Sequence, residues 1–267
     1  MMNFLLEIRT RNETLFYFGL VCFVASALFW ALTKTSNVQV YGVNAWFKPF
    51  KFATSTFLFV WAMAWYCHYL VNFQVVFYNW TVILLLGFEI VYIAWMAGKG
   101  DISHYNQRTP IYTFLFSLMA IAATIVTLYT GYIGILFFVQ PFPNLPDYYV
   151  WAIRLSLFIF VVFAFEGFVM GAKLSHSVGL VNDNSDMYIV GWSKKVGDLR
   201  IAHFIGMHAL QVLPILSYYL LKNTKFTFLL SFFYGFLALI TLIQALNGKP
   251  IVTLKINQNA TNNERKE

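Results

Sequence analysis

His203, Met207 and Gln211 recur at four-residue intervals, His208 stands three residues before Gln211, and Asp198 and Arg200 lie just upstream. All fall within GWSKKVGDLRIAHFIGMHALQVLP, residues 191–214. Imidazoles and carboxylates at such spacing can ligate a transition metal, pass protons or tie helices together. The segment runs into an apolar stretch, where a titratable side chain costs on the order of a few kcal/mol and is paired, cavity-facing or functional. On an ideal helix His203, Met207 and Gln211 form one ridge, with His208 about 140° around the axis from His203. The two histidines then flank one space without chelating one ion as an i, i+4 pair would, while His208 and Gln211 share a face. Asp198 has a simpler role open to it, accepting free N–H groups where a helix begins.

Two further carboxylates, Glu89 and Glu166, stand alone in apolar surroundings. At a helical rise of 1.5 Å per residue, Glu89, Glu166, His203 and His208 fall roughly 3 to 14 Å below one membrane surface. His104, in AGKGDISHYNQRTP, reaches the same layer from a connection. A metal site would take His104, His203 and His208 with Glu89 or Glu166, a set that suits zinc or iron. The sequence holds no HExxH, histidine-rich run or CxxC to support it. Haem is the weaker cofactor, because His68 lies toward the opposite end of its span from His208. In a catalytic reading Glu166, His203 and His208 are the acid–base groups. Lys48 and Lys51, three residues apart in WFKPFK, share a helical face. They are either interfacial lysines in an aromatic belt or, with Arg200, an anion site, to which Asn106 and Gln211 add polar contacts. A purely structural hydrogen-bond network remains open for the whole set.

The elements that must position these groups are membrane spans. The chain has 267 residues, 60% hydrophobic and 11% charged, and a mean hydropathy of +0.65, whereas a soluble domain carries about 25% charged residues. Seven runs approach the roughly 20 apolar residues a span requires, at 14–33, 53–74, 76–97, 110–138, 149–172, 201–221 and 225–246. The expected fold is an all-α polytopic seven-helix bundle, one transmembrane domain over 1–250, followed by a polar tail at 251–267 expected to be disordered. The run after Arg9 and Arg11 is long enough to be retained as a span. Arg9, Arg11, Lys222 and Lys225 lie on the N-terminal side, against 13 Lys and Arg in the opposite connections and tail. That bias places the N-terminus outside and the C-terminus inside. It also accounts for the net charge of +7 without nucleic acid. Cys22 and Cys67 lie within apolar runs, which argues against a disulfide. The connection 173–200 is long for a plain connector, whereas Pro141, Pro143 and Pro146 mark a rigid turn. No internal repeat is present, so the usual inverted-repeat transporter is not indicated.

Trp46-x-Lys48-Pro49-x-Lys51, Ser103-His104-x-Asn106, Glu166-Gly167, the 191–214 segment and Gln244-Ala245-x-x-Gly248-x-Pro250 together resemble a group of uncharacterised bacterial multi-pass membrane proteins. The resemblance spans most of the chain. It implies a bacterial inner-membrane location and a shared cytoplasmic-side site, and supplies no substrate, cofactor or catalytic role. With a bacterial location the glycosylation sequons at Asn12, Asn79 and Asn259 are chance matches. The expected function is a membrane-embedded enzyme or cofactor-binding protein with a His/Glu site, metal-dependent or not, acting on a lipid-soluble or anionic substrate. One alternative is a proton-coupled transporter or channel using Glu89, Glu166 and the histidines as a relay. Another is a seven-span receptor or assembly factor. The expected partners are the lipid bilayer and an unidentified small molecule or ion.

Overall fold

Where no water is at hand to bond the backbone, an apolar run must close its own hydrogen bonds, and a helix does so within one segment. The structure, a computed structural model, describes residues 2–179, 187 and 190–251. Its helices are α1 (Met2–Arg11), α2 (Glu13–Thr35), α3 (Phe47–Cys67), α4 (Val75–Gly98), α5 (Pro110–Val139), α6 (Asp147–Phe165), α7 (Gly167–Lys173), α8 (Arg200–Met207), α9 (Ala209–Leu216) and α10 (Thr224–Leu246). A π-helical turn, Ser217–Leu221, follows α9. Two short antiparallel ladders accompany them: β1 (Gln39–Val40) with β2 (Val43–Asn44), and β3 (Ser177–Val178) with β4 (Gly197–Asp198). Three of the long helices, α2, α5 and α10, begin where a side chain takes up free N–H groups. Asn12 accepts from Leu15, Thr109 from Tyr112 just before Pro110, and Asn223 from Lys225 and Phe226.

Among the described residues five helices are long and apolar enough to cross a membrane, or six if the bent pair Arg200–Met207 and Ala209–Leu221 counts as one span. The sequence led us to expect seven. The difference is α3, which also starts at Phe47 and ends at Cys67, well before the expected 53–74. Its first half carries Lys48, Lys51, Thr54, Ser55 and Thr56, which lower its hydropathy. α3 is also the most enclosed long helix. Phe59, Val60, Met63 and Tyr66 pack with Tyr78 and Val82 of α4, Ile133 and Phe137 of α5, Ile153 and Leu157 of α6, and Leu210 of α9. Facing outward, Val76, Leu84, Ile111, Phe114 and Phe232 are each well over half exposed, an apolar exterior suited to lipid. Both cysteines are free and buried. The sequon residues Asn12 and Asn79 are buried against each other, each amide donating to the other's carbonyl oxygen at 2.9 Å.

The span expected to run unbroken over 201–221 is broken. α8 stops at Met207, the axis bends by 42°, and α9 begins after His208. Pro214 lies inside α9 and has no N–H to give the Leu210 carbonyl one turn earlier. The hydroxyl of Tyr66 on α3 donates to that carbonyl instead. The break at His208 leaves the Ile205 carbonyl without its helical donor, and Tyr234 of α10 supplies one at 2.7 Å. A second break, at Glu166 between α6 and α7, frees the Phe163 carbonyl, which is met by His203 Nδ1 at 2.7 Å. Gly206 makes the α8–α6 contact possible, since a Cβ there would overlap the Phe163 ring. The ideal-helix angle between His203 and His208 therefore does not apply. The His208–Gln211 relation does, because both belong to the start of α9, where Nδ1 lies 3.2 Å from Oε1.

The Tyr66–Leu210 bond can be checked directly. Tyr66→Phe leaves a buried carbonyl unpaired and is expected to cost about 1–3 kcal/mol, read as a lower melting temperature in detergent. Adding Pro214→Ala restores a backbone N–H and should recover part of the loss. Wild-type stability in Tyr66→Phe would show that the carbonyl is satisfied otherwise.

Candidate functional site

The site begins with how the 173–200 connection is anchored. α7 ends at Leu174 in the left-handed region, φ 47°. β3 and β4 then pair Ser177 with Asp198 and Val178 with Gly197, and the Leu199 N–H donates to the His176 carbonyl at 3.0 Å. Gly197 crosses the end of α10 so closely that a Cβ would overlap the Ala245 carbonyl. This crossing places the Asp198 side chain wholly inside the protein. Its carboxylate accepts the Ser193 N–H at 2.9 Å and the Arg200 N–H at 3.1 Å, the second being the role expected of it at a helix start. It also accepts Arg200 Nε at 2.9 Å and Nη2 at 2.6 Å, a two-pronged ion pair. Nη2 donates as well to the Gly191 carbonyl. Burial alone would raise the Asp198 carboxyl, but the Arg200 hydrogen bond and charge, with the Ser193 N–H, hold it below its ordinary value. His176 Nδ1 is 4.0 Å from Asp198 Oδ1. Burial first, and then the Arg200 charge, bring that imidazole down to about 4.

A basic layer adjoins this pair. Lys51, in the first turns of α3, donates to the Val190 carbonyl at 2.8 Å and so joins α3 to the connection before α8. Lys48 feels the charges of Lys51 and Arg200. The α4–α5 connection adds His104, whose ring meets Phe52 edge-on at 5.4 Å and whose Nδ1 is 3.2 Å from Ser103 Oγ. Burial, and then Lys48, push His104 well below its ordinary value. Tyr105 packs on Met170, Leu199 and Ala245, and burial raises its phenol to about 12 within reach of Arg200, Glu166 and Asp198.

The expected acid–base and metal residues divide into smaller groups. Glu166, 5% exposed, sits at the α6–α7 break with both carboxyl oxygens buried and without a hydrogen bond. Its Oε2 is 3.6 Å from His203 Nδ1. A carbonyl can only accept, so the bond to Phe163 sets the His203 proton on Nδ1 and leaves Nε2 as the basic nitrogen. His208 bonds Gln211, whose amide donates to the Leu58 carbonyl of α3 at 3.2 Å. Glu89 is buried in α4, away from any ion pair among the described residues. Asn106 is wholly buried, and its amide serves its own loop, donating to Ile102 and accepting from Arg108. Among the described residues no three His, Cys, Asp or Glu side chains gather in a group able to hold a metal ion. The five expected ligands thus split: Glu166 with His203, His104 beside Lys48, His208 with Gln211, and Glu89 by itself. His68 caps the far end of α3. Two clefts, of about 400 and 380 Å³, lie among Asn72, Phe73, Tyr129 and Tyr132 and beside Arg154; no candidate residue lines either.

Sequence reasoning missed Ser193 and Tyr105. Ser193 contributes a backbone N–H, a role that its side chain does not reveal. Tyr105 stands within the SHYN motif, and its positive φ of 60° has no signature in the residue type.

Two outcomes follow. Arg200→Ala strands a buried carboxylate and should cost about 3–5 kcal/mol, with Asp198→Asn in the same background recovering part of it; additive losses would mean that the pair is not coupled. His104 and His176 are held below the value of about 6.5 that they have when unfolded. Above that pH they are neutral in both states; below it the unfolded chain binds protons that the folded chain does not, so stability falls. Asp198 acts lower, its contribution being lost only as pH falls through its depressed folded value. Thermal melting between about pH 7 and about pH 5 should show a decline, reduced in His176→Gln. A flat profile would place both imidazoles in water.

No family model, curated protein or solved structure matches the chain.

Proposed function

We propose that this chain is a membrane-embedded enzyme or cofactor-binding protein, in which Glu166 and His203 exchange a proton with a ligand admitted from the basic face of the bundle. The observation that carries the reading is Glu166 itself, a buried carboxyl with neither oxygen hydrogen-bonded, placed at a helix break 3.6 Å from an imidazole. An unsatisfied polar group in such a place costs about 1–3 kcal/mol, and a ligand bonded there offsets that. Convergence of Lys48, Lys51, Arg200, His104 and His176 nearby supports a charged or polar ligand on that side. α3 serves as the seventh span in this reading, its hydroxyls and lysines sheltered by its neighbours. The excess of Lys and Arg in the connections on the site's side supports a cytoplasmic position for it, and the resemblance to bacterial multi-pass proteins supports an inner-membrane location. Glu166 and His203 offer a zinc or iron ion two ligands, with the remainder to come from the ligand or solvent. The relay alternative has less to stand on, because Arg154 in the other half is taken up by the Phe137 carbonyl at 2.7 Å and by the Trp151 ring.

Infrared difference spectra across a pH titration test the reading. Wild-type protein should show a protonated-carboxyl C=O band that disappears in Glu166→Gln and whose midpoint moves in His203→Ala. Elemental analysis of the same samples reports any metal. Superimposable wild-type and Glu166→Gln spectra at every pH would remove Glu166 from proton exchange and the reading with it.

A further inference from the structure

Pro141 has no N–H to offer the Phe137 carbonyl near the end of α5, and Arg154 of α6 meets that carbonyl with Nε at 2.7 Å. The Phe138 and Trp151 rings lie 5.4 and 4.9 Å from the guanidinium carbon. One nitrogen is thereby committed to the backbone, and the group is held between two rings. Nη1 and Nη2 form neither a hydrogen bond nor an ion pair among the described residues, and both remain accessible. Asp147, the one charge that acts on Arg154, stands at the start of α6 without pairing with it. A cation in an apolar layer is costly unless a group of opposite sign reaches it.

Arg154 also heads a cleft. The space, about 380 Å³, lies between α5 and α6, and apart from Arg154 and Tyr132 its lining is apolar. Gly131 and Gly134 bring the two helices to ordinary contact, since Cβ atoms built on them would lie 3.6 Å from Val161 and 3.5 Å from Leu157. Ile135, Phe138 and Phe158 on its walls are exposed, so the cleft opens sideways, where lipid would lie. Its α5 wall runs from Phe138, beside Arg154, down to Leu128. At 1.5 Å per residue that is about 15 Å, half of a hydrocarbon core about 30 Å thick. The cleft thus has the length of one leaflet with a cation at one end. Tyr148, Tyr149 and Trp151 near the start of α6 suit a membrane interface at that end.

We infer that the α5–α6 cleft binds an anionic phospholipid, with one acyl chain along Leu128, Ile135 and Phe158 and the phosphodiester on the free Nη groups of Arg154. A guanidinium matches phosphate oxygens with two parallel N–H donors. A zwitterionic headgroup fits less well, because its ammonium would need the Phe138 and Trp151 faces that Arg154 itself occupies. The inference is independent of the reading of Glu166 and His203.

The test uses the full chain in neutral detergent, with thermal melting followed against phosphatidylglycerol, phosphatidylcholine and diacylglycerol, which keeps the acyl chains but has no phosphate. Saturable stabilisation by phosphatidylglycerol above the other two is expected. Its half-saturating concentration should rise about tenfold or more in Arg154→Met, and also in Gly131→Leu, which fills the cleft and leaves Arg154 in place. The wild-type chain gives a check that does not depend on a variant's folding. Phosphatidylglycerol with a photoreactive acyl chain should label the cleft walls of α5 and α6, mapped by mass spectrometry, and unlabelled phosphatidylglycerol should compete where diacylglycerol does not. Equal responses to all three lipids, an undiminished response in both variants, or labelling spread evenly over the exposed helices overturns the inference, as does a second copy of the chain cross-linked through the cleft.

Discussion

A backbone carbonyl released inside an apolar layer must find another donor, and much of this architecture answers that requirement. Three carbonyls are released, at Phe163, Ile205 and Leu210, and each is met by a side chain from a different helix: His203, Tyr234 and Tyr66. Broken helices in a membrane protein are stable only where such substitutes exist or where a polar cavity takes their place. The breaks and their substitutes therefore form one unit. Glu166 owes its position to this arrangement, because the α6 break that exposes Phe163 also turns the carboxyl toward the imidazole that repairs it.

The apolar runs were legible because lipid demands them, and their order along the chain agrees with the observed helices. α3 was placed too late because its start is read from Lys48, Pro49 and Lys51, residues that look like a connection but begin a helix that neighbours enclose. The bend at His208 was hidden for a different reason. Pro214 announces a missing donor, but its consequence depends on Tyr66, which is 144 residues from Leu210 in sequence. Depth put Glu89, Glu166, His203, His208 and His104 in one layer, and residue type grouped Lys48 and Lys51 with Arg200. They could not divide the histidines among partners, because that division follows from the bend and from loop contacts that no helical period describes. Asn106 shows the same limit: a buried amide in a polar motif turns out to hold its own loop.

Two kinds of polar group coexist in the site. Asp198 is saturated, with a donor on every side, so it sets geometry. Glu166 and Lys48 are left without hydrogen-bond partners among the described residues. A saturated residue beside unsaturated ones is the arrangement expected of preorganisation, in which the framework bears the folding energy and a few groups remain available for a ligand.

The close passage of Gly197 over Ala245 reaches beyond packing. Gly248 lies close to the Val178 carbonyl, which a Cβ there would approach to 3.3 Å, and Gln244 Nε2 bonds the Pro250 carbonyl at 2.5 Å. The turn that ends α10 thus grips both strands of the β3–β4 ladder, which carries Asp198 and adjoins His176. The stiffness of the basic layer is consequently borrowed from the far end of the chain, and a force on the residues after Leu246 would act as a lever on the carboxylate that orients Arg200.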